Sequence, residues 1–326
     1  MSESLSRILD LPVLADGLPR VEAELAEAVA SESPFVADVA AHLQRAGGKR
    51  VRPALVLLAA SFGGGTDQQV VRAATAVELI HLGSLYHDDV IDDAEVRRSV
   101  PSVNAKWGNV VAILGGDLLL GKASELSSLL GEEASHLLAC TLSALVEGEM
   151  LEVARAFRLD ATADGYWRVI ELKTASLLRA SCRVGAIVSG APRDLVESLT
   201  VYGHEMGIAF QVADDVLDLV GDPADLGKPV GIDLSDGVYT LPVLAGLQSP
   251  RAGELREILA DRPGSEAVPA VREILESVGA IDQALRVASH HLGAAREALA
   301  ELPESPVTAA LEELGHFLVE RAAPAR

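Results

Sequence analysis

Apolar residues in this chain return every three or four positions almost without a break, and the alternation that builds strands is nearly absent. That period belongs to helices with a buried side, so the sequence predicts an all-α fold. Asp67 to Asp89 reads as one long helix with Thr66 as its N-cap. Asn109–Leu130 and Glu132–Phe157 follow, parted at Gly131. Tyr166–Ser189 is stopped by Gly190 and Pro192, and Arg193–Val220 by Gly221-Asp222-Pro223. Further helices are expected near 241–247, 269–300 (broken at Gly279) and 306–322. Turn-rich stretches are short, and no linker, repeat or low-complexity tract intervenes. One domain across residues 1–326 is therefore expected, a bundle of long helices around a central apolar cavity.

Composition narrows the function. Aromatic residues make up only 3% of a chain that is 49% hydrophobic, so the core must be Leu, Val and Ala. A net charge of −21 excludes a nucleic-acid surface, which needs a basic patch, and suits a protein that gathers divalent cations. Cys140 and Cys182 are too few for a disulfide framework, which makes the cytoplasm the expected location. No signal peptide is read at the N-terminus. The best candidate for a membrane span, Val110–Leu120, is interrupted by Gly115, Gly116 and Asp117, so no transmembrane segment is expected.

Two acidic motifs carry the chemistry. In His87-Asp88-Asp89-Val90-Ile91-Asp92-Asp93, Asp88 and Asp92 fall one helical turn apart on one face. Two carboxylates so placed repel each other unless a cation lies between them. Oxygen-only ligands at this spacing suit Mg²⁺, which shares its shell with water and phosphate. Asp214-Asp215-Val216-Leu217-Asp218 repeats the pattern on another helix, here among Phe210, Val212, Val216 and Leu219. Carboxylates in such company need a metal or a partner. If the two motifs faced each other, they would clamp a diphosphate through bridging metal ions. Cations complete the picture. Lys49, Arg50 and Arg52 sit on a glycine-flanked turn, and Arg97-Arg98 follows the first motif. Gly221 to Pro229 is no Walker A loop, because its glycines are too far apart and Pro229 stands where Ser or Thr is needed. Its Lys228 can still reach a phosphate. Glu78-x-x-His81 and Glu133-x-x-His136 also match the pattern of di-iron helical-bundle oxidases, a rival that leaves both acidic motifs unexplained.

Together these residues resemble the polyprenyl synthetase family, the trans-type isoprenyl diphosphate synthases. The matching segments are GGKRVRP at 47–53, VELIHLGSLYHDDVIDDAEVRRSVPSVNAKWG at 77–108, GGDLLLGKAS at 115–124, ELKTASLL at 171–178, FQVADDVLDLVGD at 210–222 and GKPVGIDLSDGVYTLP at 227–242. The resemblance implies Mg²⁺-dependent condensation of isopentenyl diphosphate with an allylic diphosphate by a homodimer. Asp88, Asp92 and Asp214 would ligate the metal, with Asp89, Asp215 and Asp218 completing or supporting those sites. Arg97 would meet the allylic diphosphate, and Lys49, Arg52, His81 and Arg98 would hold isopentenyl diphosphate. Lys173, Thr174 and Gln211 would stabilise the allylic cation and its departing diphosphate, which Lys228 would help to grip. Val238 stands where many members carry a second lysine. Short-product members place a bulky aromatic near position 83, where this chain has Gly83 and Ser84, so a product beyond twenty carbons is expected. Tyr86 is the one ring closer to the motif. The alternatives are a farnesyl or geranylgeranyl diphosphate synthase and a terpene cyclase, whose second metal site would mix Asn, Ser or Thr with Glu. A non-catalytic partner subunit would lack the acidic motifs that this chain keeps.

Overall fold

A computed structural model describes residues 8–221, 230–262 and 264–320. Lys228, expected to grip the leaving group, lies outside them. The all-α expectation is met. Among the described residues, the strands are those of one hairpin, Val96–Arg97 (β1) and Val100–Pro101 (β2). The helices that position the site are Pro12–Ala28 (α1), Val51–Ala60 (α2), Gln68–Ile91 (α3), Asn109–Ser127 (α4), Glu132–Arg155 (α5), Ala163–Ile170 (α6), Ser176–Val188 (α7) and Arg193–Val220 (α8). Ala280–Leu299 (α9) and Pro306–Glu320 (α10) close the series. α1 was not expected, because its apolar positions are diluted by Asp16, Glu22, Glu24 and Glu27. The N-cap of α3 is Asp67 rather than Thr66, its carboxylate accepting from Val70 N at 3.0 Å. Gly279, with φ of 71°, separates α9 from the helix Val268–Ser277, as the sequence suggested.

The contacts divide the chain into two compact units. The first holds residues 1–142, 180–200 and 305–307, and the second holds 143–179, 201–304 and 308–326. In the first, α2 is buried on every side from Pro53 to Ala60, and α3 packs along α4. Gly83 of α3 lies at that packing contact. A Cβ there would stand 2.9 Å from Leu120 Cδ2 and 3.2 Å from Gly116 O. Gly83 therefore serves helix approach and does not open a cavity floor, which corrects the reading of that position. Tyr86 is likewise held within this unit, its hydroxyl donating to Val39 O at 2.6 Å.

The second unit has its own apolar core, drawn from α6, α8, α9 and the helices between residues 241 and 277. α6 does not run directly into α7. Residues Glu171–Ala175 form a turn of π-helix, widened by one residue and containing Lys173 and Thr174. Such turns bulge the backbone and re-aim side chains, and they concentrate at functional sites.

Candidate active site

The first acidic motif occupies the last turn of α3. Asp88 is half-buried and Asp92, the C-cap residue, is exposed, one turn further along. Asp89 is buried. Its Oδ1 accepts from Arg97 Nε at 2.6 Å, while its Oδ2 is buried with no hydrogen-bond partner. Burial raises its pKa, and the Arg97 guanidinium works against that rise. Arg97 reaches Asp89 because it lies on β1, paired with Val100. Arg98 and Ser99 form the two-residue turn, with φ of 52° and 63°. Positive φ at both central positions is the mark of a tight hairpin turn whose twist matches its strands. The neighbouring arginines are thereby aimed apart. Arg98 Nη1 donates to Leu43 O at 3.1 Å and to Gly47 O.

The basic cluster gathers around one buried acid. Glu78 accepts from Arg50 Nη1 at 2.7 Å, and Arg98 Nη2 lies 3.9 Å away. The Glu78 side chain is only 3% exposed and that of Arg50 only 8%, so the pair is removed from water. Arg50 also bonds Glu22 of α1, and its Nη2 donates to Gln44 O at 3.2 Å. Arg52 Nε is buried without an acceptor. Burial, and then Arg52, Arg98, Arg97 and Arg50, hold His81 well below its usual pKa, so it is a neutral imidazole. Three guanidiniums around Glu78 leave positive charge unbalanced, as a site for an anion requires. Lys49, exposed, adjoins Arg50 on the same loop. Gly48 allows the loop its path: its φ is 157°, and a Cβ there would lie 3.0 Å from Arg98 Cζ.

The same geometry removes the di-iron rival. Glu78 is engaged with guanidiniums, and Glu133 pairs with Arg193 at 2.6 Å and with Arg183 at 3.8 Å. His136 instead contacts Cys140, its Nε2 lying 3.5 Å from Sγ.

In the second unit a cavity of about 140 Å³ is lined by Lys173, Thr174, Gln211 and Asp215, together with Glu152, Tyr166, Asp233 and Val238. Tyr166 OH donates to Asp215 Oδ2 at 2.6 Å and Gln211 Nε2 to Asp215 Oδ1 at 2.7 Å. Thr174 OH then donates to Gln211 Oε1 at 2.6 Å. Asp215 thus has both oxygens occupied by protein donors and fixes the amide of Gln211, which fixes Thr174. Burial pushes the Asp215 acid up to about 7, opposed by those two hydrogen bonds and helped by Asp214. Asp218 is also buried, and its carboxylate accepts from Ile232 N at 3.3 Å and Asp233 N at 3.2 Å. It holds the start of the short helix Ile232–Ser235, which carries Asp233. Asp214, half-buried on α8, is the most open of the three.

Sequence reasoning passed over Tyr166, Glu149, Glu152 and Asp233. Tyr166 stands seven residues before Lys173, two turns away, which was a usable signal. Asp233 had none, because it arrives on a separate short helix. Its acid is held well above the usual range by burial and by the Asp215, Asp218 and Asp214 carboxylates.

No three His, Cys, Asp or Glu side chains among the described residues form a ready-made metal cage. The donors nevertheless fit a hard divalent cation. They are carboxylate oxygens, and Mg²⁺ needs only one or two of them alongside substrate phosphate. Asp89 Oδ2, buried without a donor, shows an oxygen left unsatisfied beside Asp88.

Comparison with known proteins agrees with this chemistry. The sequence model of the family described as "Polyprenyl synthetase" matches residues 33–278. A heptaprenyl diphosphate synthase component 2 from Geobacillus stearothermophilus is 39% identical over 309 residues, covering 94% of this chain and 97% of the relative. A nonaprenyl diphosphate synthase from Mycobacterium tuberculosis is 40% identical over 311 residues, covering 94% and 92%. Other relatives bear the names of short-chain and geranylgeranyl diphosphate synthases. Among solved structures, a polyprenyl synthase from Caulobacter crescentus, complexed with calcium and isoprenyl diphosphate, has a TM-score of 0.91 at 34% identity, covering 98% of each chain.

Proposed function

The chain belongs to the polyprenyl synthetase family and is a trans-prenyltransferase, and from that premise we propose that it lengthens an allylic diphosphate with isopentenyl diphosphate, in the presence of Mg²⁺, to a polyprenyl diphosphate of more than twenty carbons. The observation that carries the reading is the ordered chain Tyr166–Asp215–Gln211–Thr174 beside Lys173 in one cavity. It presents a cation and fixed dipoles to a group that leaves as an anion.

Asp88 and Asp92 would hold metal in the first unit, and Asp214 would do so in the second. Bound there, Mg²⁺ would neutralise diphosphate oxygens and so ease their departure from carbon. Asp215 and Asp218 are tied to Tyr166 with Gln211 and to the 232–233 backbone, which suits them to support rather than to ligate. Asp89 is tied to Arg97 through Oδ1 and would complete the first site through Oδ2. Lys173 would meet the departing diphosphate. Gln211 and Thr174 would turn their oxygens toward the allylic cation. Arg52, Arg98, Lys49 and neutral His81 would bind isopentenyl diphosphate, and Arg97 the allylic diphosphate. Lys228 and a cytoplasmic location belong to the same reading. A homodimer does too, since Val110, Ile113 and Leu114 expose one apolar face of α4.

The two arginines are separable. Arg98→Ala is expected to raise the KM for isopentenyl diphosphate by roughly tenfold, with little change for the primer. Arg97→Ala is expected to do the reverse, because its partner is Asp89 of the metal motif. Steady-state kinetics on both substrates checks this. Equal effects on both would sink the division.

The long-chain reading is supported by what stands beside Asp88. Ser84 is four residues earlier, on the same helical face, and its hydroxyl donates to His81 O at 2.9 Å. It is small. Tyr86, two residues before Asp88, is tied to Val39 O. The heptaprenyl and nonaprenyl relatives support the same conclusion. Purified protein incubated with Mg²⁺, isopentenyl diphosphate and allylic primers should yield products beyond twenty carbons by mass. Ser84→Phe should shorten them while still condensing short primers. Products that stop at fifteen or twenty carbons with every primer would overturn the long-chain reading, and no condensation at all would overturn the substrates.

A further inference from the structure

Lys173, the cation proposed to meet the departing diphosphate, is already engaged. Its Nζ lies 2.7 Å from Glu149 Oε2 and is also bonded by Glu152. Two features build this contact. At Gly148 the backbones of α5 and the π-turn touch, since a Cβ there would lie 2.7 Å from Lys173 N and 3.1 Å from its Cα. Glu149 and Glu152, three residues apart, then stand on the face turned toward the lysine. All three side chains are largely withdrawn from water, with exposures of 28% for Lys173, 15% for Glu149 and 22% for Glu152. Two carboxylates around one ammonium exceed what neutralisation needs, so the cradle has a net negative charge. An ammonium has three donors, and here carboxylates take at least two.

We infer that Glu149 and Glu152 form a counter-ion cradle that competes with diphosphate for the Lys173 ammonium and so limits how tightly the pocket keeps the diphosphate it releases. This rests on the prenyl-transfer reading. A desolvated lysine without counter-ions would lose its proton more readily, and when charged it would hold a polyanion strongly. The cradle keeps the ammonium charged and aimed. Any anion it meets must displace or share those carboxylates, whose charge opposes the newcomer. Burial raises the pKa of Glu152 while Lys173 pulls the other way, consistent with a carboxylate maintained by its lysine. Release of product then costs less, which matters where release limits turnover.

The probe is inorganic diphosphate with Mg²⁺, its affinity measured by titration calorimetry with no prenyl substrate present. Glu152→Gln should tighten binding roughly tenfold, and Glu152→Asp should restore the wild-type affinity. If Glu152→Gln fails to fold, Glu149→Gln reads the same contact. In a Lys173→Met background the tightening should vanish, since the carboxylate acts through the lysine. Glu147→Gln, on the same helix but paired with exposed Arg168, removes equal charge and should leave the affinity unchanged. Unchanged or weaker binding in the Glu152 variant would overturn the cradle, as would equal tightening without Lys173. Product analysis of the wild-type protein separates the two failures: no prenyl product defeats the function, whereas product with no change in diphosphate affinity defeats the cradle alone.

Discussion

Asp88→Ala and Asp214→Ala should each lower turnover by roughly 10²–10³-fold while far-UV circular dichroism stays unchanged. Asp88 and Asp214 are each less buried than the acid that follows in sequence, Asp89 and Asp215. EDTA should abolish the activity of the wild-type protein, and added Mg²⁺ should restore it. Asp215→Ala is a different kind of change. It strands Tyr166 OH and Gln211 Nε2 in a buried network, and so should cost stability as well as rate. Near-normal turnover in either the Asp88 or the Asp214 variant would remove that residue from the metal assignment.

Glu78→Ala should destabilise the protein by about 3–5 kcal/mol, read as a lower midpoint in urea. The reason is what it leaves behind. Arg50, Arg52 and Arg98 would stay close together without their shared buried carboxylate, and Arg52 Nε already has no acceptor. Glu78→Gln keeps a hydrogen-bond acceptor for Arg50 and should lose less. Inorganic diphosphate should partly rescue the alanine variant by supplying the missing negative charge, and its midpoint should rise with diphosphate concentration. A midpoint within experimental error of wild type would show that the cluster is not held by Glu78.

Much of this was legible from spacing alone. The long helices followed from three- and four-residue periodicity, and Arg193–Val220 has the bounds that its flanking glycine and proline signals implied. Thr174, Gln211 and Asp215 could be nominated because each sits in a recognisable motif, and the structure joins them by hydrogen bonds. What escaped depends on contacts between segments remote in sequence. Glu78 looked like half of a metal motif until Arg50 reached it from the loop that precedes α2. Gly83 looked like an open floor, because sequence gives the size of a residue but not what faces it; Leu120 does. Asp89 and Asp92 belong to one motif, yet only the hairpin, placing Arg97 against Asp89, tells them apart. Helix α1 was missed for a related reason: its narrow apolar stripe is buried at Leu14, Val21 and Leu25 only because a partner surface is waiting.

The turn at Glu171–Ala175 sets a phase relation as well as a position. An α-helix advances about 100° per residue, so one residue more or less rotates everything beyond it by that angle. Drawing this segment back into a regular α-helix by a single deletion would add backbone regularity. It would also swing Tyr166 onto a different face from Lys173, Thr174 and the start of α7, so that Asp215 and Gln211 could no longer be met from one side. The extra residue works like a keyway between two shafts. It carries no chemistry of its own, and the alignment of the parts on either side depends on it.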